Sequence, residues 1–126
     1  MKRVITALIL LFAVAVMCVY SNNKLIKDFN EVKSILKEAR SSAESGDYKR
    51  AAELTEKADN AVRAGETFYH MIAAHTELSD ISTQLSRLEI IARTDAKDIY
   101  ISECEYLIVK IEDFISSQTS IIRHLI

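Results

Sequence analysis

The chain has 126 residues, 49% of them apolar, and a formal net charge of −2, which is one domain's worth of sequence. With Lys2 and Arg3 set aside, 14 of its 16 basic residues face all 18 acidic ones after residue 20, a mildly acidic balance that excludes the basic face a nucleic-acid binder needs. With no Pro, no Trp and two Gly, little is left for long loops, strand hairpins or phosphate-cradling turns.

Residues 4–20 form a run of 17 in which only Thr6 is outside the apolar set. As a helix the run is about 25 Å long, the short end of a membrane span. Cleavage as a signal peptide is poorly served. Ala13-Val14-Ala15 has the small-x-small pattern, but cutting there leaves a mature start of Val16-Met17-Cys18-Val19-Tyr20. Met17 before Cys18 does not fit a lipoprotein, and a prepilin would need a Gly before the run and a Glu just inside it. The expectation is an uncleaved anchor over residues 1–20 and an exposed domain over residues 21–126, with Tyr20 at the far interface. Lys24, Lys27, Lys33, Lys37 and Arg40 follow the run and compete with Lys2 and Arg3 for the cytoplasmic side. Two charges and the α-amine packed into three residues resist translocation, whereas a domain of about 100 residues crosses largely regardless of charge. The N-terminus is therefore expected in the cytoplasm, with a single pass through the cell membrane and the C-terminal domain extracytoplasmic.

Beyond the anchor, Leu25, Phe29, Val32, Leu36, Ala39 and Ala43 recur in alternating steps of four and three, which keeps them on one seam of a helix. Ser45-Gly46-Asp47 ends it, with Gly46 in the left-handed conformation and Asp47 capping the next helix. Leu54, Ala58, Ala61, Gly65, Phe68, Ile72, His75, Leu78, Ser82 and Leu85 continue the alternation to about Ala92. The phase does not jump at Gly65, and an interior Gly costs a helix only about 1 kcal/mol. One long central helix over residues 48–92 is thus preferred, with a break near Gly65 into shorter helices as the alternative. Arg93-Thr94-Asp95 makes the second turn, with Thr94 or Asp95 as the cap. The last seam holds Ile101, Cys104, Ile108, Ile111, Ile115, Gln118, Ile122 and Leu125. The predicted class is all-α: a transmembrane helix followed by an antiparallel helical bundle, with three helices and a long central one, or four if Gly65 breaks it. Reversal at Thr94 would set Leu78 near Ile108, His75 opposite Glu112 and Gly65 opposite Ile122.

His70, His75 and His124 are the only imidazoles and none has a partner at motif spacing: there is no His-Glu-x-x-His and no Glu-x-x-His. Glu66 and His70 share a helix face four residues apart, a spacing typical of a surface contact. His75, on the seam, reads as a buried structural histidine. Cys18 and Cys104 read as small apolar fillers rather than a disulfide. Ser116, Ser117 and Ser120 have neither a base nor an oxyanion donor in view. Asp98, Glu103, Glu105, Glu112 and Asp113 read as a solvated face, and the scattered Tyr48, Phe68, Tyr69, Tyr100 and Tyr106 do not make a nucleic-acid stacking platform. No catalytic, cofactor-binding or metal-binding residue is predicted, and no cofactor.

The anchor, the Gly46-Asp47-Tyr48 turn, His75-x-Glu77-Leu78 in mid-helix and the final Glu112-Asp113-Phe114-Ile115 helix together resemble a family of small single-span proteins of spore-forming Gram-positive bacteria, known as a domain of unknown function. The resemblance covers nearly the whole chain and implies an all-helical fold without an assigned activity. Ser45-Gly46-Asp47-Tyr48-x-x-Ala51 also looks like the middle of a tetratricopeptide repeat, but it occurs once and a solenoid needs several.

The functional expectation is a non-enzymatic, membrane-anchored helical accessory or scaffold protein of the cell envelope. Its partners would be the membrane and an envelope protein or a second copy, since a thin helical assembly leaves apolar seam surface to cover. An extracytoplasmic ligand-binding or sensing module is the alternative, although only Met1-Lys2-Arg3 would remain inside to carry an output.

Overall fold

The computed structural model describes residues 1–125 apart from 67, 70–74 and 95, with the backbone alone at 75, 121, 122, 124 and 125. The described residues form four helices: α1 (Lys2–Glu44), α2 (Tyr48–Ala64), α3 (His75–Ala92) and α4 (Lys97–Leu125).

α1 is 43 residues long, about 64 Å, because no Gly or Pro falls between Lys2 and Gly46. The apolar run and the first bundle helix are therefore one rod, and the boundary expected at residue 20 is a change of surface within it. From residue 4 to 18 every side chain is exposed; Val19 is the first to be partly covered, and from Leu25 a single seam is buried. That seam is Leu25, Phe29, Val32, Leu36, Ala39 and Ala43, as the spacing predicts. The first turn also follows expectation. Gly46 takes φ +87°, and the Asp47 carboxylate accepts from the Arg50 N–H at 3.2 Å, capping α2.

Gly65 corrects the preferred reading. The helix does not run on to Ala92; Gly65 closes α2 with φ −101° and ψ 5°, its N–H donating to the Arg63 carbonyl. Arg63 then reaches Ser86 (3.0 Å), so α2 and α3 lie antiparallel, and the chain reverses between them. The deciding contact is tertiary rather than local. Tyr69 lays its ring on Gly65 so closely that a Cβ there would lie 2.6 Å from both Cε2 and Oη, while its hydroxyl donates to Asp28 on α1 at 2.8 Å. The bare backbone of Gly65 is what admits the ring, and α1 is what holds it. Ile122, expected opposite Gly65, has no described side chain.

α1 packs on α2 and α4, and α3 packs on the same two, which makes a square up-down-up-down bundle. Arg40–Glu105 and Lys33–Glu112 fix α4 antiparallel to α1, and Arg87–Glu103 and Asp80–Lys110 fix α3 antiparallel to α4 in a register within about three residues of the one predicted. Helices with two neighbours bury a wider stripe than a single seam. Tyr100, Leu107 and Phe114 join Cys104, Ile108 and Ile111 inside, Val62 rather than Ala61 is buried on α2, and Ile81 rather than Ser82 on α3. Thr94 does not cap the last helix. Its hydroxyl donates back to the Ile91 carbonyl at 2.7 Å and closes α3, while the Ala96 carbonyl accepts the first α4 bond, from the Tyr100 N–H.

The Gly65 contact has a measurable consequence. Gly65→Ala would gain at most about 1 kcal/mol of helix propensity, but overpacking against a buried ring costs about 1–3 kcal/mol. The variant is expected to unfold at lower urea concentration in detergent, and Gly65→Ala combined with Tyr69→Ala to recover part of the midpoint lost relative to Tyr69→Ala alone. An unchanged or raised midpoint for Gly65→Ala would show that the ring does not set the break.

Candidate functional site

The fold brings Gly65, Phe68 and Tyr69 after α2, residues 114–118 of α4 and residues 22–29 of α1 to the end of the bundle next to the apolar run. Asn22 donates from Nδ2 to the Gln118 carbonyl at 3.1 Å, and Gln118 itself is buried. Two turns further along α1, fully buried Phe29 meets Tyr69 and Phe114 with ring centroids 5.2 and 5.1 Å apart at tilted angles. Burial of Phe29 contributes about 1.5–3 kcal/mol and each tilted ring pair about 0.5–1.5. Lys24 over the Phe68 ring at 4.8 Å, an exposed cation, adds less, about 0.5–1 kcal/mol. The aromatic cluster thus holds this end together. Burial, helped by the Asp28 hydrogen bond, pushes the Tyr69 phenol well above its ordinary range. It stays a neutral donor at any physiological pH. Beside it an open cleft of about 280 Å³ is lined by Lys24, Asp28, Glu31, Gly65 and Tyr69 among others.

Two buried polar groups lie farther up. Thr55 gives its proton to the Ala51 carbonyl at 2.7 Å, leaving its oxygen to accept from Tyr100 Oη at 2.6 Å across the bundle. Burial pushes the Tyr100 phenol up to about 12. Cys104, also buried, donates to the Leu36 carbonyl at 3.4 Å, and burial pushes its thiol up to about 12, so it is inert. Cys104 is the apolar filler expected; Cys18 is exposed on the apolar run. The second group joins α2 to α3. Asp59 is buried, and Arg63 Nε lies 3.2 Å from its Oδ1. Glu89, its side chain 18% exposed, takes Arg93 at 3.1 Å. A hydrogen bond with Asp59, and then burial, raise the Glu89 pKa above its ordinary value of 4.5.

His70 lies outside the described residues; His75 opens α3 and His124 ends near the close of α4, with only their backbones described. Glu112, expected opposite His75, is 3.9 Å from both Lys33 and Lys37 of α1. The acidic face of α4 is solvated as expected, with Asp98, Glu105, Glu112 and Asp113 exposed, and it also meets bases: Glu105 pairs with Arg40 and Glu103 with Arg87, each at 3.5 Å. Glu66 also has an interaction partner. Among the described residues no three His, Cys, Asp or Glu side chains are grouped to hold a metal. Sequence reasoning missed Asp28, Thr55, Asp59, Tyr69 and Glu89. The Asp59-x-x-x-Arg63 and Glu89-x-x-x-Arg93 spacings were the signal available for the acid pair.

The geometry defines a class: a small four-helix bundle carried on the continuation of one long, apolar N-terminal helix. Residues 19–123 match the family model DUF4363, a domain of unknown function, and the chain belongs to that family. The match begins at Val19, where α1 first becomes partly covered. Searches of curated proteins and of solved structures find no match.

The acid pair makes stability depend on pH with a definite sign. A folded-state pKa raised above the unfolded value means the folded chain holds a proton the unfolded chain has released. The contribution of Glu89 is therefore complete below pH 4.5 and lost as pH rises through the raised value. Glu89→Gln keeps a donor facing Asp59 at every pH. The urea midpoint of the parent protein is expected to fall relative to that of Glu89→Gln between pH 4 and pH 7, and a constant offset would show that folding does not raise the Glu89 pKa.

Proposed function

We propose that the chain is a single-pass membrane protein of the cell envelope, N-terminus inside, whose extracytoplasmic bundle acts as a non-enzymatic accessory or scaffold by protein contacts. The observation that carries this reading is the continuity of α1: its apolar stretch has a mean hydropathy of 2.6 over 18 residues, is wholly exposed, and passes without a break into the bundle core. An N-terminal stretch of this kind also serves as a signal sequence, but here removal would cut a helix that the bundle continues. Lys2 and Arg3 support the inside placement of the N-terminus.

For partner contact, the outer surface of α4 exposes Ile99, Tyr106 and Val109 at more than half their area, spaced by seven and three so that they share one face. The occupant is a helical segment of an envelope protein or a second copy. The cleft beside Tyr69 supports a sensing role only weakly, because about 280 Å³ lies at the small end of ligand sites and it is open.

Two outcomes are expected from intact cells making the full chain. The protein should resist alkaline extraction from membranes, and trypsin added outside should digest the bundle. A soluble species lacking about fifteen to twenty N-terminal residues would make the apolar run a cleaved signal. In addition, a photo-crosslinker at Tyr106 should give a discrete adduct, and one at Asn60, exposed on α2, should not; equal labelling from both would remove the α4 face as the contact.

A further inference from the structure

The bond from Asn22 to the Gln118 carbonyl puts the α4 backbone directly against α1 two residues after the apolar run ends at Tyr20. α4 is antiparallel to α1 and continues as helix to Leu125. Seven residues carry it about 10 Å further along α1, whereas Tyr20 is only about 3 Å from Asn22. The last two turns of α4 therefore stand level with the final turns of the apolar run, near residues 15–20. Coverage by the bundle reaches Val19, which is partly covered, while residues 15–18 keep their apolar surface exposed beside the end of α4. The same stretch of α4 carries Ile121, Ile122 and Leu125. The hydroxyl of Thr119 donates within the helix to the Ile115 carbonyl at 2.9 Å, so it enters an apolar layer without an unmade bond.

We infer that the last two turns of α4 lie in the bilayer, at the boundary between headgroups and acyl chains on the side where α1 emerges. The inference rests on the reading of α1 as a span. The run is about 25 Å long against a hydrocarbon layer of about 30 Å. A bilayer centred on the run must reach Tyr20, so whatever stands level with residues 15–20 is within lipid. Lipid is also what continuity demands, because this end of α4 adjoins the exposed apolar surface of α1. Arg123 is exposed, and its long stem lets the guanidinium rise to lipid phosphates from that depth. The bundle is thus held to the membrane by two helices of which one crosses it.

The chain contains no Trp, so single-Trp variants of the full protein in phosphatidylcholine–phosphatidylglycerol vesicles report depth through quenching by lipids brominated on their acyl chains. Leu10→Trp is expected to lose most of its emission to deep bromines and Leu125→Trp to shallow ones, while Ile99→Trp, at the other end of the bundle, keeps its emission. Arg123→Trp gives the same reading from an exposed position if Leu125→Trp lowers the helical signal. Quenching at Leu10→Trp with none at Leu125→Trp or Arg123→Trp overturns the inference and leaves the span standing. No quenching at Leu10→Trp overturns the span and the inference with it.

Discussion

The uninterrupted backbone of α1 is the constraint on which the other helices depend. A helix can pass from one solvent to another without a joint as long as nothing in it ends the hydrogen-bond ladder, and between Lys2 and Gly46 nothing does. Only its surface changes, from apolar on all sides to apolar on one seam. An all-round apolar surface can be stable only in lipid or in a core; a seam needs partner helices. α2 and α4 pack on α1, and α3 is held by those two alone. The end of the bundle next to the apolar run and the end distal to it are thereby assigned by α1 before any other helix is placed.

What was legible in the sequence divides along this same line. The seam of α1 reads correctly at all six positions because charged or polar residues flank most of them, so period alone decides which residues face inward. The Gly46-Asp47 turn reads correctly because two local rules, a left-handed Gly and a capping carboxylate, agree. Where an apolar residue stands directly beside the seam position, period alone is insufficient, and the stripe expected at Ala61 and Ser82 belongs to Val62 and Ile81. Gly65 was misjudged for a different reason. Its local cost to a helix, about 1 kcal/mol, is too small to signal a break. The decision came from Tyr69 reaching Asp28, 41 residues away along the chain, which no local pattern encodes. The aromatic cluster and the Asp59–Glu89 pair are equally non-local, and they make up most of the candidate site.

The ion pairs between α1 and α4 illustrate how specificity differs from stability. Lys33, Lys37 and Arg40 face Glu105 and Glu112, yet most of these side chains are a third to a half exposed. Pairs of that kind are worth about 0–1 kcal/mol each, less than one buried Leu. Their effect is on choice of neighbour. An acidic α4 beside a basic stripe of α1 is favoured, and α4 in the place of α2 would lose the stripe while bringing its carboxylates toward Glu38 instead. The buried Thr55–Tyr100 bond acts in the same sense from inside, since a slipped register would leave the Tyr100 hydroxyl unpaired at about 1–3 kcal/mol while Thr55 kept only its bond to Ala51.

α4 is tied to α1 at both ends. At the distal end Lys97 Nζ donates to the Glu44 carbonyl at 3.4 Å; at the end next to the apolar run Asn22 donates to the Gln118 carbonyl, and Cys104 bonds the Leu36 carbonyl between them. Two of these bonds are accepted by α1 carbonyls and the third, from the Asn22 side chain, by an α4 carbonyl, and together they span about 20 residues of α1, so α4 cannot tilt relative to α1 without breaking one of them. α2 is joined to α1 in a similar way, by Arg50–Glu38 at the distal end, while Tyr69, beyond α2, reaches Asp28 at the other. A change in the tilt of the apolar stretch would then be carried through the bundle as a rigid rotation rather than absorbed at a hinge. The exposed α4 face of Ile99, Tyr106 and Val109 would move with the apolar stretch, which is the property that distinguishes a rigid post from a domain on a flexible tether.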